Sequence, residues 1–406
     1  MLKRVPVDSL TVGMYIHELG GAWLDHPFWR TSFKIENPDV LRRILDSGVR
    51  EAWIDTTRGL DVAGGISQEQ SDAEVEQELV RSASEPSPVE HVPMEEEVAR
   101  AGKTLAKSCE ALADLFQQVR MGRALQDGSI LPVVDDIAAS VMRNAGVLTA
   151  LARMRRQDNY TFMHSISVCA LMVAVGNQLG FSGDQAREAG LAGLLHDIGK
   201  ILIDAELLNK KGPLTDEEFA ALRRHPQIGH DILATRRAAG DVVLDVCLHH
   251  HERIDGSGYP GKLAGEKIGL HARLAAVCDV YDATTSNRPY KDVWPPAHAL
   301  RKMTEWSSNH FDQRLFHAFV RTVGIYPIGT LVRLKSDRLA VVVDQSEGSL
   351  LTPRVKVFFS IAANHRVSPK VLDLSRADAA DEIVSHEDPD AWGIDDINFL
   401  WSGIDG

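Results

Sequence analysis

Five groups of side chains in the middle of this 406-residue chain could do chemistry together: His164, the doublet His196-Asp197, His225, the pair His249-His250, and Asp279. Each has an ordinary explanation on its own. A single histidine in an apolar helix, as at His164, is more often a hydrogen-bonded core residue than a ligand. His225 stands before a proline, as helix-entry residues do, HHH at 249–251 could be a solvated helix end, and Asp279 could be a cap. Taken together these explanations fail, because each group lies in or at the end of a helix expected to be buried, where an unpaired charge or imidazole is costly. Helices that each contribute one or two nitrogen or oxygen donors are how metal sites are built in bundle cores. Asp197 has two oxygens and can bridge two cations. His164, His196 and Asp279 would complete one, and His225, His249 and His250 the other. Imidazole and carboxylate without thiolate favour Fe, Mn, Co or Zn over Mg.

Two metals about 3.5–4 Å apart suit in-line displacement at phosphorus, since they stabilise both the attacking and the leaving oxygen. A bridging water would become hydroxide near neutral pH. Lys200 follows the doublet in HDIGK and could meet the phosphoryl oxygens. Alone it would read as a lysine at a helix C-terminus, where its charge is welcome. Beside His196-Asp197 the catalytic reading is preferred, so Asp197 and Lys200 are the catalytic candidates.

These residues need helices to position them. The body from residue 160 to 323 reads as helix after helix: 161–179 is apolar nearly all round and so a buried core helix, followed by 184–198, a helix starting near Pro226, 242–250 and 271–285. After Val323 the apolar period changes to two (TLVRL, LAVVV, VKVFF), which predicts a small β appendage to about Asp373. Residues 1–62 read as a small α+β unit in which short strands flank a helix at 38–47. The fold class is therefore mainly α: a helical bundle with an N-terminal α+β domain and a C-terminal β appendage. The expected divisions are 1–62, an acidic flexible linker at 63–93, a helical connector at 94–157, the catalytic body at 158–323, the appendage at 324–375 and an acidic tail at 376–406. Within the linker, 72–82 could form a transient helix; in the tail, Trp392, Phe399, Leu400 and Trp401 could dock.

The net charge of −13 is concentrated rather than spread. Residues 66–99 carry ten Asp/Glu against one Arg, and 376–406 carry nine against one, leaving the remainder at about +4. A mildly basic body suits an anionic substrate but is too weak to argue for a nucleic-acid polymer. No apolar run approaches the ~18 residues of a membrane helix, and the N-terminus lacks a signal-peptide core. Cytoplasmic residence without membrane insertion is expected. Four cysteines far apart, with no CxxC pair, argue against disulfides or a thiolate site.

At the chemistry-bearing residues the sequence resembles the HD-GYP family of HD-domain metal-dependent phosphohydrolases. HDIGK at 196–200 resembles its signature doublet. HHERIDGSGYP, within 249–260, resembles the loop that names the family, and DVYDATTSNRPYK at 279–291 the following helix and substrate-binding stretch. The resemblance covers roughly residues 158–320, and the three motifs in order are specific. It implies His164, His196, Asp197, His225, His249, His250 and Asp279 as metal ligands and Lys200 near the scissile phosphate. It further implies Arg288 and Lys291 on the guanine and phosphates of cyclic di-GMP, Gly258 and Tyr259 beside the substrate, and Asp282 facing the same site. Some members hold a third metal with a Glu one turn before the first histidine. Tyr160 stands there, so two divalent ions are expected, Fe or Mn foremost, with Co, Zn or Ni as alternatives. Ile254 stands where an aromatic is common. The first 62 residues resemble, more loosely, the small domain often found ahead of such bodies.

The expected function is hydrolysis of cyclic di-GMP to pGpG, with GMP as a further product to be tested. Two rivals remain, a catalytically silent cyclic di-GMP sensor and an HD phosphohydrolase acting on another nucleotide. The complete ligand set counts against the first, and GYP with RPYK against the second. His230, His251, His271, His310 and His317 take the structural or exposed reading, Cys278 that of a buried filler, and Trp23 and Trp29 that of core packing. The helices at 94–155 are candidates for a homodimer interface, and signalling proteins are candidate partners.

Overall fold

The computed structural model describes residues 1–404 except 22–27, 29–31, 83–91, 124–129, 155–159, 211, 213, 236–238, 287–292, 347–348, 377 and 380. The N-terminal unit is a five-stranded antiparallel sheet of β1 (Leu2–Pro6), β2 (Tyr15–Leu19), β3 (Phe33–Lys34), β4 (Glu51–Asp55) and β5 (Ile66–Ser67), in the order β3-β2-β4-β1-β5. Helix α1 (Pro38–Asp46) starts where Asn37 accepts from the amides of Asp39 and Val40, satisfying two N–H groups that the first turn leaves open. Val5, Ile16, Ile44 and Ile54 fill the small core beneath it.

Residues 68–82, expected to be mostly linker, form helix α2 (Gln68–Ser82). Its acidic composition suggested a solvated chain, but one face carries Val75 and Leu79 into the main core. Its carboxylates meet partners from distant elements: Asp72 and Glu76 pair with Arg301, Glu74 pairs with Arg4, and Glu78 contacts the His317 ring. The linker expectation is corrected over this span.

The body is helical. Its elements are α3 (Met94–Arg120), α4 (Leu131–Arg143), α5 (Val147–Met154), α6 (Tyr160–Gln178), α7 (Gly183–Leu195), α8 (Ala205–Leu208), α9 (Asp216–Leu222), α10 (His225–Thr235), α11 (Asp241–His249), α12 (Leu270–Thr285), α13 (Pro296–His310) and α14 (Gln313–Val323). Capping boxes at Ser182/Gln185 and Thr215/Glu218 fix the starts of α7 and α9. Helix α6 is buried through most of its length, as its all-round apolar sequence requires, and α4, α5, α7 and α12 surround it.

The β appendage has five strands among the described residues: β6 (Leu331–Leu334), β7 (Arg338–Asp344), β8 (Arg354–Ser360), β9 (His365–Asp373) and β10 (Ile383–His386), ordered β10-β6-β7-β8-β9. The tail expected beyond Asp373 is thus partly sheet. Its end, α15 (Ile397–Ser402), docks through buried Leu400 and Trp401, and the Leu400 carbonyl accepts from Lys356 at 2.7 Å. Among the described residues no helix is long and apolar enough to cross a membrane.

Candidate metal centre

The constellation assembles where α6, α7, α10, the end of α11 and α12 meet. Close helix approach makes this possible. Gly199, in the turn after His196-Asp197, lies so near α10 that a Cβ there would sit 2.0 Å from the His225 carbonyl oxygen. Glycine is therefore required in HDIGK for His225 to reach Asp197.

Asp197 is the hinge of the arrangement. Its Oδ2 lies 3.4 Å from His164 Nε2 and 3.3 Å from His196 Nε2, while its Oδ1 lies 3.2 Å from His225 Nε2 and 3.8 Å from His250 Nε2. Asp279 Oδ1 sits 3.0 Å from His164 Nε2, closing one set of donors. On the other side, His225 Nε2 is 3.3 Å from His250 Nε2 and 3.2 Å from His251 Nε2. Two groups of three, His164/His196/Asp279 and His225/His250/His251, therefore flank one carboxylate.

The outer faces of these rings fix their tautomers. Backbone carbonyls accept from Nδ1 of His196 (Gly193, 2.7 Å), His225 (Leu222, 2.8 Å) and His250 (Val246, 3.0 Å). A carbonyl can only accept, so Nδ1 carries the hydrogen, and in a neutral ring Nε2 offers a lone pair to the centre. Burial, with repulsion from any positive charge on the adjacent His196 and His225 rings, pushes His250 down to about 3, and burial also lowers His225 and His251. Neutral lone pairs facing one another at these distances repel unless a cation lies between them. Among the described residues, buried His196 Nε2 and Asp197 Oδ1 also find no hydrogen-bond partner. The donor set fits divalent metal ions.

The carboxylates complete the field. Burial would raise Asp197, but Lys200 and His196 outweigh it and hold the carboxyl well below its usual range. Lys200 reaches back one turn to bind Asp197 Oδ2. For His164, burial disfavours the charged ring, yet Asp197, Asp279 and Asp282 together carry it up to about 10. Without metal, the imidazolium of His164 compensates part of the buried negative charge. A core that spends five histidines and three aspartates on one buried cluster would be more stable if apolar, and such local conflicts mark function.

Several placements correct the sequence reading. His249, expected as a ligand, is the last residue of α11 and turns outward, its Nδ1 2.8 Å from Asp245 Oδ1. His251, set aside as structural, takes the place assigned to it. The register was recoverable: the string HHERIDGSGYP itself spans 250–260, and the extra histidine ahead of it hid the pair that precedes Glu252. Asp282, expected against the substrate, is 1% exposed and holds His164 Nδ1 at 2.7 Å from behind. The Tyr259 ring stacks on His251 with centroids 4.7 Å apart, and Arg223 lies over the same ring at 4.0 Å. At Gly258 a Cβ would lie 2.5 Å from the Glu252 Cα, so the loop folds tightly onto the residue after His251. Glu252 in turn accepts from the amides of Gly261 and Leu263. Arg288 and Lys291, with Trp23 and Trp29, lie outside the described residues, as does the side chain of Tyr160.

Comparison with known proteins agrees with this geometry. An HD domain model matches residues 132–315, and a domain of unknown function, DUF3391, matches residues 2–126. This match extends beyond the 62 residues expected for the N-terminal unit, taking in α2 and all of α3. The chain is 48% identical over 405 residues to a cyclic di-GMP phosphodiesterase of Pseudomonas aeruginosa, covering 100% of this chain and 96% of that one. It is 35% identical to a cyclic di-GMP phosphodiesterase response regulator of Xanthomonas campestris pv. campestris over 54% of this chain and 58% of the relative. It is 33% identical to a 3'3'-cGAMP-specific phosphodiesterase of Vibrio cholerae over 46% of this chain and 42% of that protein. The chain belongs to the HD-GYP family of HD-domain, metal-dependent phosphodiesterases, with a DUF3391 domain ahead of its catalytic body.

Proposed function

We propose that this protein hydrolyses a phosphodiester bond of cyclic di-GMP, giving linear pGpG, at a binuclear metal centre. The observation that carries this reading is Asp197, whose two oxygens each face a separate set of buried donors. Similarity to a cyclic di-GMP phosphodiesterase along the whole chain supports the choice of substrate.

His164, His196 and Asp279 would hold one divalent ion, His225, His250 and His251 the other, and Asp197 would bridge them. Iron or manganese suits this imidazole-carboxylate set best. Such ions supply phosphoryl charge neutralisation and an acidified water as nucleophile. The protein's own part is preorganisation. Carbonyl bonds at Nδ1 and the Asp282 bond to His164 hold the rings in place before substrate arrives. Lys200, 13% exposed in its side chain, pairs with Asp197. With Asp197 serving as a ligand, the Lys200 ammonium would be available to a non-bridging phosphate oxygen. Arg288 and Lys291 are proposed to engage the guanine and phosphates.

The test is anaerobic turnover of cyclic di-GMP by protein reconstituted with Mn or Fe, separating substrate, pGpG and GMP by chromatography. Product that disappears in Asp197→Ala supports the reading and fixes the end product. No product despite two bound ions per chain would overturn it. Similarity to the 3'3'-cGAMP-specific enzyme makes a cyclic dinucleotide panel the companion experiment.

A further inference from the structure

The loop that carries Tyr259 is gripped from outside the catalytic body. Arg50 leaves the N-terminal sheet just before β4, its backbone anchored where Val7 N–H donates to the Arg50 carbonyl at 2.7 Å. Its Nε lies 2.6 Å from Asp255 Oδ2, and its Nη2 donates to the Asp255 carbonyl at 3.2 Å. One guanidinium thus pairs by charge with the side chain and donates a hydrogen bond to the backbone of a single loop residue, contacts made from two of its nitrogens at once.

Asp255 passes this restraint inward. Its Oδ1 accepts from the Ser257 amide at 2.8 Å, and Ser257 Oγ accepts from Arg253. Two residues on, the Tyr259 amide donates to the His251 carbonyl at 3.2 Å, and the Tyr259 ring stacks on the His251 imidazole. The path from Arg50 to a proposed ligand therefore runs through one short loop, from Asp255 to Tyr259.

We propose that Arg50 is a positioning residue for the catalytic centre, supplied by the N-terminal domain. By fixing Asp255 it sets the seat of Tyr259 and so the aim of His251 Nε2. The docking of the N-terminal domain then governs the quality of the His225/His250/His251 donor set. The inference rests on His251 as a metal ligand, as proposed above.

A neighbouring contact supplies the control. Arg43 of α1 pairs with Asp216 of α9 at 3.3 Å across the same domain boundary and, among the described residues, makes no hydrogen bond or ion pair with residues 252–260. In the full-length protein, Mn affinity is titrated for Arg50→Ala, Arg50→Lys and Arg43→Ala, with thermal unfolding followed in parallel. Changes to groups supporting metal ligands cost about 10–100-fold in metal affinity. Arg50 acts at one further remove and is half-exposed, so a loss of about three- to tenfold at one of two sites is expected. Arg50→Lys should recover only part of it, and Arg43→Ala should leave affinity unchanged.

Equal losses in Arg50→Ala and Arg43→Ala would overturn the proposal in favour of general domain docking. Unchanged affinity in Arg50→Ala would overturn it outright. Because the readout is metal binding, failure of the substrate assignment shows separately, as two tightly bound ions without cyclic di-GMP turnover.

Discussion

The ring of Tyr259 lies on the ring of His251 with centroids 4.7 Å apart and planes 24° apart. The tyrosine that names the family's loop thus serves, in this chain, as a wall behind a candidate ligand. Stacking restrains the imidazole without using its nitrogens. Tyr259→Ala should weaken metal binding about tenfold, the lower end for a supporting group. Tyr259→Phe should stay within about twofold, since the stacked face is kept. Metal titration of both variants decides it: equal losses would show that the hydroxyl, not the face, matters.

The three consecutive histidines should separate cleanly. His251→Ala is expected to lower turnover by at least about 100-fold and remove one metal equivalent per chain, because it deletes an inward donor. His249→Ala should keep both equivalents and activity within about threefold, as its partner Asp245 lies outside the cluster. Elemental analysis alongside turnover reads both.

Asp282 touches His164 rather than any open surface. Asp282→Ala should cut kcat about 10–100-fold through loss of ring orientation, with KM nearly unchanged. A rise in KM with kcat preserved would return Asp282 to the substrate-contacting role.

The chelated, metal-free protein should lose stability on acidification. His250 is held neutral down to about 3, far below an unfolded histidine near 6.5. The unfolded chain therefore binds more protons between these values, and stability falls as pH drops through the window. His225 and His251 shift in the same direction. His164, raised to about 10, acts oppositely: its contribution is complete below 6.5 and is lost as pH rises through 10. Thermal midpoints of chelated protein should therefore decline from pH 6.5 to 4, and a flat profile across that window would contradict the neutral-ring assignment.

Leu79 tests whether α2 is structural. At 2% exposure, Leu79→Ala should cost about 2–4 kcal/mol in urea unfolding. A cost near zero would restore the reading of this span as a solvated linker.

The nature of the site was legible in the sequence because its chemistry resides in residue types and short spacings. His196-Asp197 with Lys200, His225, Asp279 and the GYP string required no tertiary knowledge to be grouped. The helical class followed from apolar periodicity in the same way. What escaped depended on phase and on distant partners. Successive helical residues diverge by about 100°, so which two of His249, His250 and His251 face inward depends on where α11 ends and how it is rotated. Packing sets both. Likewise α2 reads as a solvated acidic chain until Arg4 and Arg301 arrive from distant elements to pair with its carboxylates and Val75 and Leu79 enter the core. Residue types and short spacings were enough to determine the kind of donor and the motifs that carry it; which histidines point inward was decided by packing, because direction in a folded chain is set by contacts that no local spacing encodes.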